Sequence, residues 1–80
     1  MIITIPKNPK YNISESICVW DRSASTISFS RMLNSTIAHF RMKCNDSEQF
    51  VTRLDKMSKM SNDDFMYIHK LNQEDRNNEN

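Results

Sequence analysis

Thr36-Ile37-Ala38-His39-Phe40-Arg41-Met42-Lys43-Cys44 alternates apolar and polar side chains, and Asn45-Asp46-Ser47-Glu48-Gln49 follows with no linker between them. Strict alternation is the pattern of a strand with one buried face. It predicts Ala38, Phe40, Met42 and Cys44 pointing inward and Ile37, His39, Arg41 and Lys43 pointing outward. The next five residues read as a helix start with Asp46 or Ser47 at the cap. The Asp46 carboxylate can accept from the free N–H groups of the first turn, Gln49 can reach back, and Glu48 suits the positive end of the helix dipole. Everything before this junction reads as strand and everything after it as helix.

Upstream, Met1 to Ile5 is a β-branched run stopped by Pro6 and Pro9, which suits an edge strand because proline cannot donate to a ladder. Lys7 to Ser14 reads as loop, with Tyr11 and Ile13 as anchors. Glu15 to Trp20 alternates again and sets Ile17 and Val19 against Cys18 and Trp20. The aliphatic pair is the expected core face. Asp21 to Ser25 makes a turn of about five residues, and Thr26 to Met32 sets Ile27 and Phe29 against Ser28 and Ser30. A helix through Phe29, Leu33, Ile37 and Phe40 fits the spacing, but Ser28, Ser30, Asn34, Ser35 and Thr36 are poor interior helix formers. The chain has no glycine, so a turn needing positive φ must use Asn or Asp, and Asn8, Asn34 and Asn45 all fall between the periodic runs.

Downstream, a helix to about Lys59 carries Phe50, Val51, Leu54 and Met57 on one stripe, with Arg53, Lys56 and Lys59 beside it. A second helix starts at Ser61 or Asn62, with Asp63 and Asp64 in its first turn and Phe65, Ile68 and Leu71 as its stripe. The expected fold is α+β, ββββαα: a four-stranded, mainly antiparallel sheet with two C-terminal helices packed on one face. Residues 1–80 make a single domain, with a sheet region over 1–44, a two-helix region over 45–72 and a disordered tail over 73–80.

Charged residues are nearly balanced, at 11 Lys/Arg against 10 Asp/Glu, which argues against a dedicated nucleic-acid binder. The charge is unevenly placed. Residues 1–59 carry nine Lys/Arg and five Asp/Glu, whereas residues 60–80 carry two and five. Cys18 and Cys44 read as reduced thiols, since the N-terminus has neither the charged segment nor the apolar run of a secretion signal. No stretch has the roughly 20 apolar residues of a membrane span.

No residues stand out as catalytic, cofactor-binding or metal-binding. His39 and His69 lie 30 positions apart, with no Cys or carboxylate at a metal-ligand spacing from either. A cysteine–histidine dyad would also need an orienting group and an oxyanion site, and there is no glycine-rich turn to build one. Asp63-Asp64 reads as helix capping and Glu74-Asp75 as solvated surface. The expectation is a non-enzymatic protein without cofactor, metal, membrane or small-molecule substrate. What remains is surface. With Ile17 and Val19 inward, Trp20 is expected on the open sheet face as a binding anchor, with Arg22, Ser30, Arg31, His39, Arg41 and Lys43 on or near it. Such a face suits an acidic protein partner. The alternative is a small RNA- or DNA-binding module, with Trp20 and His39 stacking on bases and the cations on phosphates.

The ββββαα order, the length, the strand end Ile17-Cys18-Val19-Trp20-Asp21, the helix start Asp46-Ser47-Glu48-Gln49-Phe50 and the Arg/Asn/Glu-rich tail together resemble the small phage-encoded anti-CRISPR proteins of type I-F, in the group with a four-stranded sheet backed by two helices. The resemblance covers about residues 15–50. It implies a binding inhibitor in the host cytoplasm that docks its sheet face on the backbone subunits of a CRISPR surveillance complex, a Cascade- or Csy-type ribonucleoprotein, and blocks target DNA. It implies that Trp20 takes the place of that group's exposed aromatic contact. Where the group presents a glutamate near the third strand, this chain has Ser30, Arg31 and Met32. Its first strand ends at Pro6 where another aromatic is expected.

Overall fold

In a computed structural model, the backbone is described for residues 1–78 and the side chains for residues 1–73. The elements are β1 (Ile2–Ile5), β2 (Ser16–Asp21), β3 (Thr26–Leu33), β4 (Thr36–Lys43), α1 (Ser47–Ser58) and α2 (Asn62–Asn78), with one 3-10 turn over Pro9–Tyr11. The strands form one antiparallel sheet in the order β1-β2-β3-β4. Both helices pack on one face, giving the expected α+β arrangement. The short axis of the molecule is 17 Å, which accommodates one sheet layer and one helical layer and leaves the other sheet face uncovered. No described helix is long and apolar enough to cross a membrane.

The junction at Asn45 forms as its side chains dictate. Asp46 caps α1 by accepting from the Gln49 N–H at 2.9 Å, and Gln49 accepts in return from the Asn45 N–H at 2.8 Å. At α2, the Ser61 hydroxyl accepts from the Asp64 N–H. α2 runs on to Asn78, past the point where a disordered tail was expected to begin; Glu79 and Asn80 lie outside the described residues. The β3–β4 hairpin closes through Asn34 and Ser35, both at positive φ (51° and 66°), between the paired Leu33 and Thr36. A two-residue loop with both residues left-handed matches the right-handed twist of the strands it joins. Of the three asparagines expected at positive φ, only Asn34 adopts it; Asn12 also does, and Ser25 and Ser35 do so against the expectation that only Asn or Asp would.

The main correction lies in β2. The hairpin before β3 has a loop of four residues, Arg22 to Ser25, because Asp21 pairs with Thr26. Asp21 Oδ1 accepts from the Ala24 N–H and the Arg22 carbonyl from the Ser25 N–H, which tightens the turn. A five-residue turn would have placed Val19 opposite Ile27; the shorter loop places Trp20 there instead. Because side chains alternate with period two, that one-residue shift moves every β2 side chain to the other face. Ser16, Cys18 and Trp20 are buried, while Ile17 and Val19 remain 49% and 37% exposed.

The core accounts for this choice. Trp20 stacks on Phe50 of α1 with ring centroids 4.5 Å apart, and its indole N–H donates to the Cys44 carbonyl at 3.3 Å. Cys18 pairs with Ile3 on one side and with Phe29 on the other. The small thiol leaves room for three rings: Phe29 on Phe40 at 5.7 Å and Phe40 on Phe65 of α2 at 4.8 Å. Burying an indole removes more apolar surface from water than burying an isoleucine. On the helices, Phe50, Met57 and Phe65 are buried as expected, whereas Val51 and Leu71, both read as core, are exposed.

Candidate interaction surface

The ladder register orders the open face into rows. Thr4, Ile17, Ser30 and His39 form one, and Ile2, Val19, Ser28 and Arg41 form the next. Met32 beside Ile37 and Asp21 beside Thr26 and Lys43 close the two ends. Five of the ten exposed large hydrophobic side chains among the described residues stand on this face: Ile2, Ile17, Val19, Met32 and Ile37. Ile2, Ile17 and Val19 make an aliphatic ridge on β1 and β2. Ser28 and Ser30 lower the surface in the middle strand, and His39, Arg41 and Lys43 form a cationic border on β4.

A groove of about 410 Å³ follows the outer side of β4, lined by His39, Arg41, Lys43, Thr26, Asn72 and Gln73 among others. The His39 ring meets the buried His69 ring edge-on at 5.3 Å. Nδ1 of His69 lies 3.1 Å from the His39 amide nitrogen and 3.0 Å from its carbonyl oxygen. Either tautomer therefore finds a backbone partner there, and α2 covers that part of the sheet edge.

Four of the seven residues expected on or near this face are there: Ser30, His39, Arg41 and Lys43. Trp20 is not, being 3% exposed within the core. Arg22 is exposed at the β2–β3 turn, but its guanidinium lies over the Trp20 ring at 4.5 Å. It faces the start of α1 rather than the open sheet. Arg31 is 1% exposed, because inward β3 residues oppose Ser16 and Ala38 in the ladder.

The Arg31 guanidinium ties sheet and helices together. It donates to the Ser16 hydroxyl, to the carbonyls of Met57 and Met60 at 2.9 and 2.7 Å, and to Asn62 Oδ1 at 3.2 Å, and it lies 4.5 Å above the Phe65 ring. Desolvation lowers its pKa from the ordinary arginine value. Arginine holds its charge even when buried, and here the carbonyls at the negative end of α1 compensate it in place of a carboxylate. Arg31 is a structural cation, not a contact residue.

Ile2, Thr4, Ile17, Val19 and Met32 are the surface residues that pattern reading missed, whereas Ile37 was read as outward on β4 and is exposed. The signal that could have found four of them was the hairpin loop length. Both cysteines are free and buried. The Cys18 thiol is pushed up to about 11, first by burial and then by the neighbouring Cys44, so at neutral pH it is protonated and unreactive. Among the described residues, no three His, Cys, Asp or Glu side chains gather as a metal site would require. Comparison with protein-family models, curated proteins and solved structures finds no match.

Proposed function

We propose that this protein acts by binding rather than by chemistry, as an inhibitor-type docking protein that lays its open sheet face on a host protein or ribonucleoprotein. One observation carries the reading: among the described residues, half of the exposed large hydrophobic side chains lie together on a single uncovered sheet face bordered by Arg41, Lys43 and His39. An aliphatic ridge on β1 and β2 facing a cationic border on β4 across a serine-lined strand supports a protein-binding patch with apolar and charged contacts. A partner surface with its own apolar patch and an acidic border would complement it.

The type I-F anti-CRISPR resemblance makes a CRISPR surveillance complex the first partner to try. The contact set proposed here is Ile2, Ile17, Val19, Ser30, His39, Arg41 and Lys43. Purified type I-F surveillance complex should co-elute with the wild-type chain in size-exclusion chromatography. Ile17→Asp and Arg41→Glu, each checked for folding by circular dichroism, should not co-elute. Unchanged co-elution of both variants would refute the face.

A second reading rests on the cationic groove beside β4, where Arg41 and Lys43 would hold phosphates and His39 would stack on a base. It requires binding to single-stranded oligonucleotides that weakens steeply with salt. A flat salt response, or no mobility shift at low salt, would exclude it.

A further inference from the structure

The sheet ends in β1 on one side and β4 on the other. On β4, the His39 N–H and carbonyl both lie within hydrogen-bond distance of His69 Nδ1, so α2 covers that edge. On β1, the outer backbone groups have no partner among the described residues. The Met1 ammonium donates to the Trp20 carbonyl at 3.0 Å and the Trp20 N–H donates to the Met1 carbonyl at 2.9 Å, so these two residues exchange both bonds. Antiparallel ladders alternate, and Ile3 and Ile5 therefore also aim their N–H and carbonyl groups at β2, opposite Cys18 and Ser16. Ile2 and Thr4 aim theirs away from the sheet. Nothing within Ile2–Ile5 blunts this edge, which carries no charge, no proline and no bulge. Pro6 ends it and offers no N–H.

We propose that the β1 edge pairs with the β1 edge of a second copy of this chain, antiparallel across a two-fold axis, joining the two sheets into one. The backbone groups fix the register. With Ile3 on the axis, opposite Ile3 of the second copy, Ile2 faces Thr4 of the second copy and Thr4 faces its Ile2. These are the residues with outward groups, so every outward N–H and carbonyl of the two strands is used. Centring the pair on Thr4 instead sets Ile2 against Pro6, which leaves the Ile2 carbonyl without a donor. Ile3 is only partly buried at the margin of the core. Two such side chains meeting at the axis, with Cα atoms about 4.5 Å apart, extend the apolar layer across it. An uncharged strand suits its own copy, because pairing brings no like charges together and offers no charge for a foreign strand to read. Strands this short make a small interface, so the dimer is weak, with a Kd of about 0.1 mM. The pairing uses the sheet edge and does not rest on the docking reading of the open face.

The test is sedimentation velocity of the full chain from about 10 µM to about 1 mM, with amide solvent exchange followed by nuclear magnetic resonance over the same range. The sedimentation coefficient should rise from that of a monomer toward that of a dimer. Protection should grow with concentration at the Ile2 and Thr4 amides, while Ile3 and Ile5 are protected throughout. Thr4→Pro removes an outward N–H without touching the β1–β2 ladder, so it should keep the circular dichroism spectrum and stay monomeric. Thr4→Lys leaves the backbone intact and should raise Kd about tenfold or more, which keeps the test decisive should the proline variant lose its fold. A wild-type chain still monomeric at about 1 mM would overturn the pairing and leave a foreign strand as the occupant of this edge. So would a dimer whose growing protection bypasses Ile2 and Thr4, or one that Thr4→Lys forms as readily as the wild type.

Discussion

Trp20→Ala tests the register of β2 directly. The indole is 3% exposed, stacked on Phe50 and hydrogen-bonded to the Cys44 carbonyl. Truncating such a side chain costs about 3–5 kcal/mol through lost transfer energy and the cavity left behind, and the orphaned carbonyl adds about 1 kcal/mol. A chain of 80 residues has about 4–12 kcal/mol of total stability. The variant should therefore lose a third or more of its stability, or fail to fold. Trp20→Phe keeps the stacking and loses the hydrogen bond and some volume, at about 1–2 kcal/mol. Ile17→Ser is the counterpart on the other face. Its side chain is already 49% exposed, so about 1 kcal/mol is at stake. Urea unfolding followed by far-ultraviolet circular dichroism measures all three without relying on tryptophan emission. If Trp20→Ala cost under about 1 kcal/mol while Ile17→Ser cost about 3 kcal/mol or more, β2 would face the other way.

Arg31→Met should destabilise the protein by about 3 kcal/mol or more, since Ser16 and the Met57 and Met60 carbonyls lose their donor inside the core; a loss under about 1 kcal/mol in urea unfolding would contradict that role. Cys18 predicts a pH dependence: its thiol rises from an ordinary 9.0 to about 11 on folding. The folded state then binds more protons than the unfolded state between these values. Its contribution is complete below pH 9 and is lost as pH rises through 11. Comparing thermal stability of the wild type and Cys18→Ala between pH 8 and 11 isolates that slope, and parallel curves would count against it. Asp46→Ala should cost about 1 kcal/mol through loss of the α1 cap, read as a lower urea midpoint at an unchanged slope.

Several elements were legible because their information is local. The β4 alternation placed Ala38, Phe40 and Cys44 in the core, and Asp46 with Gln49 capped α1, since both depend on contacts within a few residues. Asn34 was legible because a glycine-free hairpin has few residues that tolerate positive φ. Two of the predicted contact residues were not legible for non-local reasons. Trp20 moved inside because the β2–β3 loop is one residue shorter than its composition indicated. Arg31 moved inside because its place in the β3 ladder sets it among carbonyls at the end of α1, more than twenty positions away. Nothing in the neighbourhood of an arginine in sequence announces such partners.

The sequence by itself determined the order ββββαα, the junction at Asn45 and the outward face of β4, because period and capping chemistry are properties of short segments. Only the tertiary structure decided which face of β2 is buried. Alternation defines two faces without saying which is inner, and that choice belongs to the loop length, the Trp20–Phe50 stack and the room Cys18 leaves for the phenylalanines. The open face is therefore aliphatic and cationic rather than centred on tryptophan.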